Sequence, residues 1–150
     1  MEGNVQKIIK FYQYDKDSCL LELMHNEYLK GENNAIEGIL WLNRALLFFE
    51  LAFQEIDGCL KSSNNDMAMK QIFTVAYEGS VKKYHSWITQ QIFNVICKLS
   101  PTLPQIIKSL KGENDLENFQ LHLSSFNATL HNVRCQIDSF FVNHNLFTDS

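Results

Sequence analysis

The stretch that decides the fold runs Ala35-Ile-Glu-Gly-Ile-Leu-Trp-Leu-Asn-Arg-Ala-Leu-Leu-Phe-Phe-Glu-Leu-Ala-Phe-Gln-Glu-Ile-Asp-Gly-Cys-Leu-Lys61. It contains no proline and no sustained alternation of apolar and polar residues, so it reads as one long helix. Ile36, Ile39, Trp41, Leu46, Phe48, Phe49, Phe53 and Ile56 are among apolar residues that reach nearly all the way round. An ordinary surface helix buries a stripe only a little wider than about 100°. At about 1.5 Å per residue this helix is roughly 40 Å long. Such a helix must be covered on both sides, which predicts an all-α, two-layer helical sandwich. An aromatic-rich helix held between layers either fills a core or lines an apolar cavity, and the pattern alone fits both. Asn43, Arg44 and Glu50 interrupt the greasy run, so it does not read as a membrane span.

The neighbouring segments read as helices too. A first is expected over Asn4 to Tyr14 and a second over Ser18 to Lys30, closed by Gly31 in a left-handed conformation. Ser62 to Asp66 forms the clearest loop, with Asp66 placed to cap a fourth helix over Met67 to Leu99, broken once at most. Pro101 and Pro104 stop it and start a short helix over Gln105 to Leu110, with Gly112 repeating the Gly31 signal. A last long helix spans Asp115 to Asn143, and a polar-aromatic tail follows to Phe147.

One domain is expected for residues 1–150, because domains cluster near roughly 100–150 residues. The chain has 13 basic against 17 acidic side chains and a net charge of −4. That balance speaks against nucleic acid as a partner and against a polybasic membrane anchor. The 11 Phe, 5 Tyr and 2 Trp supply ample apolar area, so disorder is not expected. Cys19, Cys59, Cys97 and Cys135 stand apart with no CxxC pair, which predicts free thiols in a reducing, cytoplasmic setting. The start, Met1 to Lys7, lacks the apolar core of a signal peptide. His122 and His131 fall on opposite helical faces, so no metal site is expected. There is no GxSxG, no phosphate-binding glycine loop, no HExxH and no EF-hand, so no enzyme and no cofactor is predicted.

Several polar residues stand out. Asn4 and Lys7 share one face of the first helix. Trp41 and Arg44 are likewise three apart. A tryptophan near the start of a buried helix is more often packing, but an exposed indole face at a pocket mouth could stack on a sugar ring or a cation. His85, with Val81, Ile88 and Ile92, is assigned to a mostly apolar helical face, and Trp87 to a different one.

Taken in order, these segments are familiar. Trp41-Leu-Asn-Arg-Ala-Leu-Leu-Phe-Phe49, followed by Ala76-Tyr-Glu-Gly-Ser-Val-Lys-Lys-Tyr-His-Ser-Trp-Ile-Thr-Gln-Gln-Ile-Phe93, resembles the glycolipid transfer protein family. Gly3-Asn4-Val-Gln-Lys7 looks like that family's Asp-x-x-Gly-Asn-x-x-Lys motif without its front, and Ser100-Pro101 and the stretch around Leu110 and Gly112 fall where the family has similar features.

The resemblance implies a helical sandwich enclosing an apolar lipid-chain tunnel, a surface headgroup site, and transfer of sphingolipids between membranes without chemistry. It implies that Asn4 and Lys7 bond headgroup oxygens, that Trp41 is the plate for the first sugar, and that His85 binds the ceramide amide oxygen. Phe93 and Phe48 would line the tunnel, and Trp87 would dock on the membrane. The expected partners are a glycosphingolipid or related sphingolipid and, transiently, a membrane surface, met peripherally by a monomer. In the branch that transfers ceramide-1-phosphate the position of Trp41 is usually an arginine, so the tryptophan points to a sugar, with ceramide-1-phosphate transfer as the alternative. A lipid-sensing interaction protein with weak transfer activity is the other alternative.

One departure from the motif is visible. Its aspartate stands four residues before the asparagine matching Asn4, and this chain begins three residues before Asn4. Glu2 does not substitute, since two residues turn a helix by about 200° and four by about 40° net. The expectation is a shortened member without the family's first helix and part of the second, with an exposed sandwich face and weakened sugar binding.

Overall fold

The computed structural model describes residues 2–12, 18–62, 68–110 and 115–146. Within them the chain is all-α. Its helices are α1 (Glu2–Tyr12), α2 (Leu20–Leu29), α3 (Asn34–Lys61), α4 (Met69–Glu78), α5 (Trp87–Lys98), α6 (Leu103–Ser109) and α7 (Leu116–Asn143). The chain groups into two compact units, residues 1–46 with 133–150, and residues 47–132.

The long helix forms as expected, starting at Asn34. From Ala35 to Leu60 only Glu37, Gln54 and Gly58 are exposed, so it is covered on nearly every side. Ile36 and Ile39 pack with Met24, Ile137, Phe140 and Phe141 in the first unit. Ala52, Ile56, Cys59 and Leu60 pack with Met69, Ile72, Ala76, Leu103 and Ile107 in the second.

The start of α3 has a specific cause. The buried Glu27 carboxylate accepts hydrogen bonds from the amides of Ala35 and Ile36, each at 2.9 Å. It thereby satisfies two donors that a helix N-terminus leaves without partners. Tyr12 donates its hydroxyl to the same carboxylate at 2.9 Å, so α1, α2 and α3 meet at one buried charge. Burial and the neighbouring Glu27 raise the Tyr12 hydroxyl pKa well above its ordinary value. Gly31 ends the preceding turn at φ 72°, the left-handed conformation its position required.

The expected fourth helix is two helices. After Glu78 the chain turns through Gly79 and Ser80, makes one 3-10 turn over Lys82–Tyr84 and restarts at Trp87. Ser86 is the reason for the restart: its hydroxyl accepts the Thr89 amide at 3.3 Å as an N-cap. This corrects the placing of His85 on an apolar helical face. His85 sits in the break, extended at φ −98° and ψ 136°.

The short helix begins two residues before Gln105. Thr102 and Gln105 form a capping box, and Pro104 stands in the first turn. The first helix starts at Glu2 rather than Asn4. The roles expected of Tyr14, Asp66, Gly112 and Phe147 lie outside the described residues.

Candidate functional site

The candidate residues divide between the units: Asn4, Lys7 and Trp41 belong to the first, and Phe48, His85, Trp87 and Phe93 to the second.

In the first unit, α1 crosses α3 closely at Gly38. A Cβ there would stand 3.2 Å from the Asn4 carbonyl oxygen and 3.4 Å from the Lys7 Cβ, so glycine permits the approach. Asn4 and Lys7 thus lie against α3 one turn before Trp41. Lys7 is exposed, with its ammonium 3.7 Å from the Glu37 carboxylate. Trp41 is half-buried, and the Arg44 guanidinium lies 4.8 Å from the centre of its ring. Amide, ammonium, indole and guanidinium together offer hydrogen-bond donors and a flat face.

In the second unit the aromatic residues form a connected array. Phe48 meets Phe93 edge-on, with ring centres 6.1 Å apart, and also contacts Phe49 and Phe73. Phe93 stacks on Tyr77 at 3.7 Å with 11° between the planes. The Tyr77 hydroxyl lies 2.8 Å from His85 Nδ1. An apolar run from Phe48 therefore ends on an imidazole. The structure brings together Phe48, Phe93 and His85, three residues singled out in the sequence. It adds Tyr77, whose link to His85 spans the helix break and has no signature in helical periodicity.

Gln90 is a second addition. Its side-chain amide donates to the carbonyls of His85 at 2.9 Å and Lys82 at 3.3 Å, so α5 holds the backbone on which His85 rides. Trp87, at the first position of α5, is 73% exposed. Ile88, Ile92, Val95, Ile96 and Leu99 continue an exposed apolar face along that helix.

A polar seam adds residues that do not stand out in the sequence. In the first unit Asn43 donates to Asp138 at 2.6 Å. In the second, Glu50 pairs with His131 at 2.7 Å, and Ser124 donates to Asp57 at 3.0 Å. Asn43, Glu50 and Asp57 are seven apart, as are Ser124, His131 and Asp138, a heptad repeat that could have revealed the pairing. A cleft of about 350 Å³ lies along this seam, lined by residues including Gln54, Lys61 and Asn127.

Among the described residues, no three His, Cys, Asp or Glu side chains are grouped to hold a metal ion, and no helix is long and apolar enough to cross a membrane. No disulfide links any two of the four cysteines.

Comparison with known proteins gives a consistent picture. Residues 1–112 match the family model described as glycolipid transfer protein. Glycolipid transfer protein 1 of Arabidopsis thaliana is 24% identical over 136 residues, covering 86% of this chain and 65% of that protein. The chain thus spans about two thirds of the length of that relative. The structure of FAPP2, described as selecting simple glycosphingolipids using the GLTP fold, superposes with a TM-score of 0.81 at 20% identity, covering 99% of this chain and 74% of that one. Mouse ceramide-1-phosphate transfer protein in its apo form gives 0.84 at 17% identity, covering 98% and 74%. The fold is shared by a protein described with each headgroup, so the fold does not choose between them.

Proposed function

The chain belongs to the glycolipid transfer protein family, and on that premise we propose that it binds a sphingolipid, a glycosphingolipid by preference, and carries it between membranes without making or breaking a covalent bond. The family is one of lipid transfer proteins rather than enzymes. The observation that carries this reading is the array Phe48–Phe93–Tyr77–His85, an apolar run closed by one polar group.

The physical demand is simple. A hydrocarbon chain leaving a bilayer exposes about 0.8 kcal/mol per CH₂ to water unless another apolar container receives it. Phe48 and Phe93 line that container, and His85 meets the amide oxygen where hydrocarbon gives way to headgroup. Trp41 supplies a flat face for a sugar ring, and Asn4 and Lys7 supply donors to its hydroxyls. Unpaired polar groups are costly, so such donors select a headgroup as well as hold it. Trp87 leads an exposed apolar face and docks on the membrane, a peripheral and transient contact made by an acidic cytoplasmic monomer.

Arg44 favours a second reading. A guanidinium 4.8 Å from Trp41 would pair with the phosphate of ceramide-1-phosphate. Vesicle-to-vesicle transfer of fluorescent galactosylceramide by Trp41→Ala and His85→Ala separates the readings. Each substitution is expected to slow transfer about tenfold or more while helicity is kept. Unchanged galactosylceramide transfer in Trp41→Ala contradicts the sugar assignment. No transfer by the unaltered chain would instead support an interaction protein that uses the open face of α5.

A further inference from the structure

A hydroxyl and an imidazole in contact can share a hydrogen in two ways, and the choice decides what the other ring nitrogen offers. Tyr77 is 4% exposed, and its ring is stacked on Phe93. Among the described residues its hydroxyl has one hydrogen-bond partner, His85 Nδ1 at 2.8 Å. Burial also raises the Tyr77 pKa, so the hydroxyl keeps its hydrogen. If Nδ1 carried a hydrogen and donated it, the tyrosine O–H would be buried with no acceptor. On a residue so largely buried, leaving that donor unused carries a desolvation cost that donation to Nδ1 avoids. Tyr77 therefore donates, Nδ1 accepts, and the neutral ring carries its hydrogen on Nε2.

We propose that Tyr77 is the positioning residue that sets the tautomer of His85, so that Nε2 is presented as a hydrogen-bond donor and the site selects a ligand with a carbonyl oxygen at that point. The proposal rests on the reading of His85 as a ligand contact. The rest of the local structure supports it. Gln90 fixes the carbonyls of His85 and Lys82, and Ser86 caps α5 immediately after His85, so the backbone as well as the ring is held. Nε2 has no partner among the described residues. A donor held in place matches the N-acyl carbonyl of a ceramide. It discriminates against an analogue with a methylene in place of that carbonyl, which would leave the N–H unpaired.

The test needs a readout independent of lipid. Long-range proton–nitrogen correlation spectra of the full chain labelled at its histidines identify which ring nitrogen carries hydrogen, with His85→Gln to assign the signal. The unaltered chain is expected to show His85 with hydrogen on Nε2. Tyr77→Phe, which keeps the ring and its stack on Phe93, is expected to give a mixture of tautomers and to weaken galactosylceramide binding about tenfold in a fluorescence titration. Gln90→Ala is expected to keep the tautomer. Hydrogen on Nδ1 in the unaltered chain overturns the proposal, and so does an unchanged tautomer in Tyr77→Phe. If Tyr77→Phe does not fold, the tautomer of the unaltered chain decides. If the unaltered chain shows the expected tautomer but binds no galactosylceramide, the proposed function fails and the tautomer assignment stands.

Discussion

The two units draw on the same two helices, α3 and α7, and put them to different uses. In the first unit the polar groups along α3 hold neighbours in place: Glu27 closes its N-terminus, Asn43 bonds Asp138, and Gly38 lets α1 approach. In the second unit α3 turns aromatic. Phe48, Phe49 and Phe53 lie in ring contact with one another or with Phe73, Phe93 and Phe126. Polar groups there flank the aromatic run, at His85 on one segment and at Glu50 and Asp57 on another. A single helix therefore anchors its neighbours through polar groups in one stretch and packs aromatic rings in the next. The difference is written in which residues fill it.

The largest expected effect lies in the first unit. Glu27→Ala leaves the Ala35 and Ile36 amides and the Tyr12 hydroxyl without their acceptor, and should cost about 3 kcal/mol in chemical denaturation. A loss below about 1 kcal/mol would show that α3 does not depend on this carboxylate for its start. Next comes the aromatic array. Phe48→Ala removes a half-buried ring that touches three others, and should cost about 2 kcal/mol, below the range for a fully buried phenylalanine because the site is only partly buried. It should also slow lipid transfer more than Glu27→Ala does when both are assayed well below their melting temperatures. The reverse order would mean that the array is packing alone.

The smallest effect is electrostatic. Burial pushes the Asp57 carboxyl up, but hydrogen bonds from Lys61, Gln120 and Ser124 outweigh it, so its pKa lies below the ordinary value in the folded protein. A carboxyl lowered on folding adds stability above its unfolded pKa of about 3.9, and that contribution is lost as pH falls through the folded value. Unfolding measured at several pH values should therefore show an acid-side loss that Asp57→Asn reduces. A pH profile unchanged by that substitution would remove Asp57 from the seam's energetics.

Much of this was legible in the sequence, for identifiable reasons. The limits of α3 and α7 could be read to within a residue because their apolar residues and flanking turn signals agree. Phe48, Phe93 and His85 stand out individually through the resemblance of whole segments rather than through spacing, and their linkage through Tyr77 does not. The surroundings of His85 were hidden. Helical periodicity holds only within an unbroken helix, and only there would Val81, Ile88 and Ile92 share one turn pattern with His85. Ser86, a good N-cap, and Gly79-Ser80 carried the signal of a break. Tyr77 was hidden for the same reason, since its partner lies eight residues on, across that break. The seam is masked by its setting: Asn43 and Glu50 interrupt a greasy run, and only their seven-residue spacing marks them as partners of α7.

The most direct test of the central claim, that this chain shelters sphingolipid hydrocarbon and inspects the headgroup, is a vesicle-to-vesicle transfer assay on the unaltered protein. Fluorescent galactosylceramide, ceramide-1-phosphate and phosphatidylcholine would be compared at equal loading. The account predicts fastest transfer of galactosylceramide, slower transfer of ceramide-1-phosphate and none of phosphatidylcholine above the protein-free rate. Equal rates for all three, or no transfer of either sphingolipid, would contradict it.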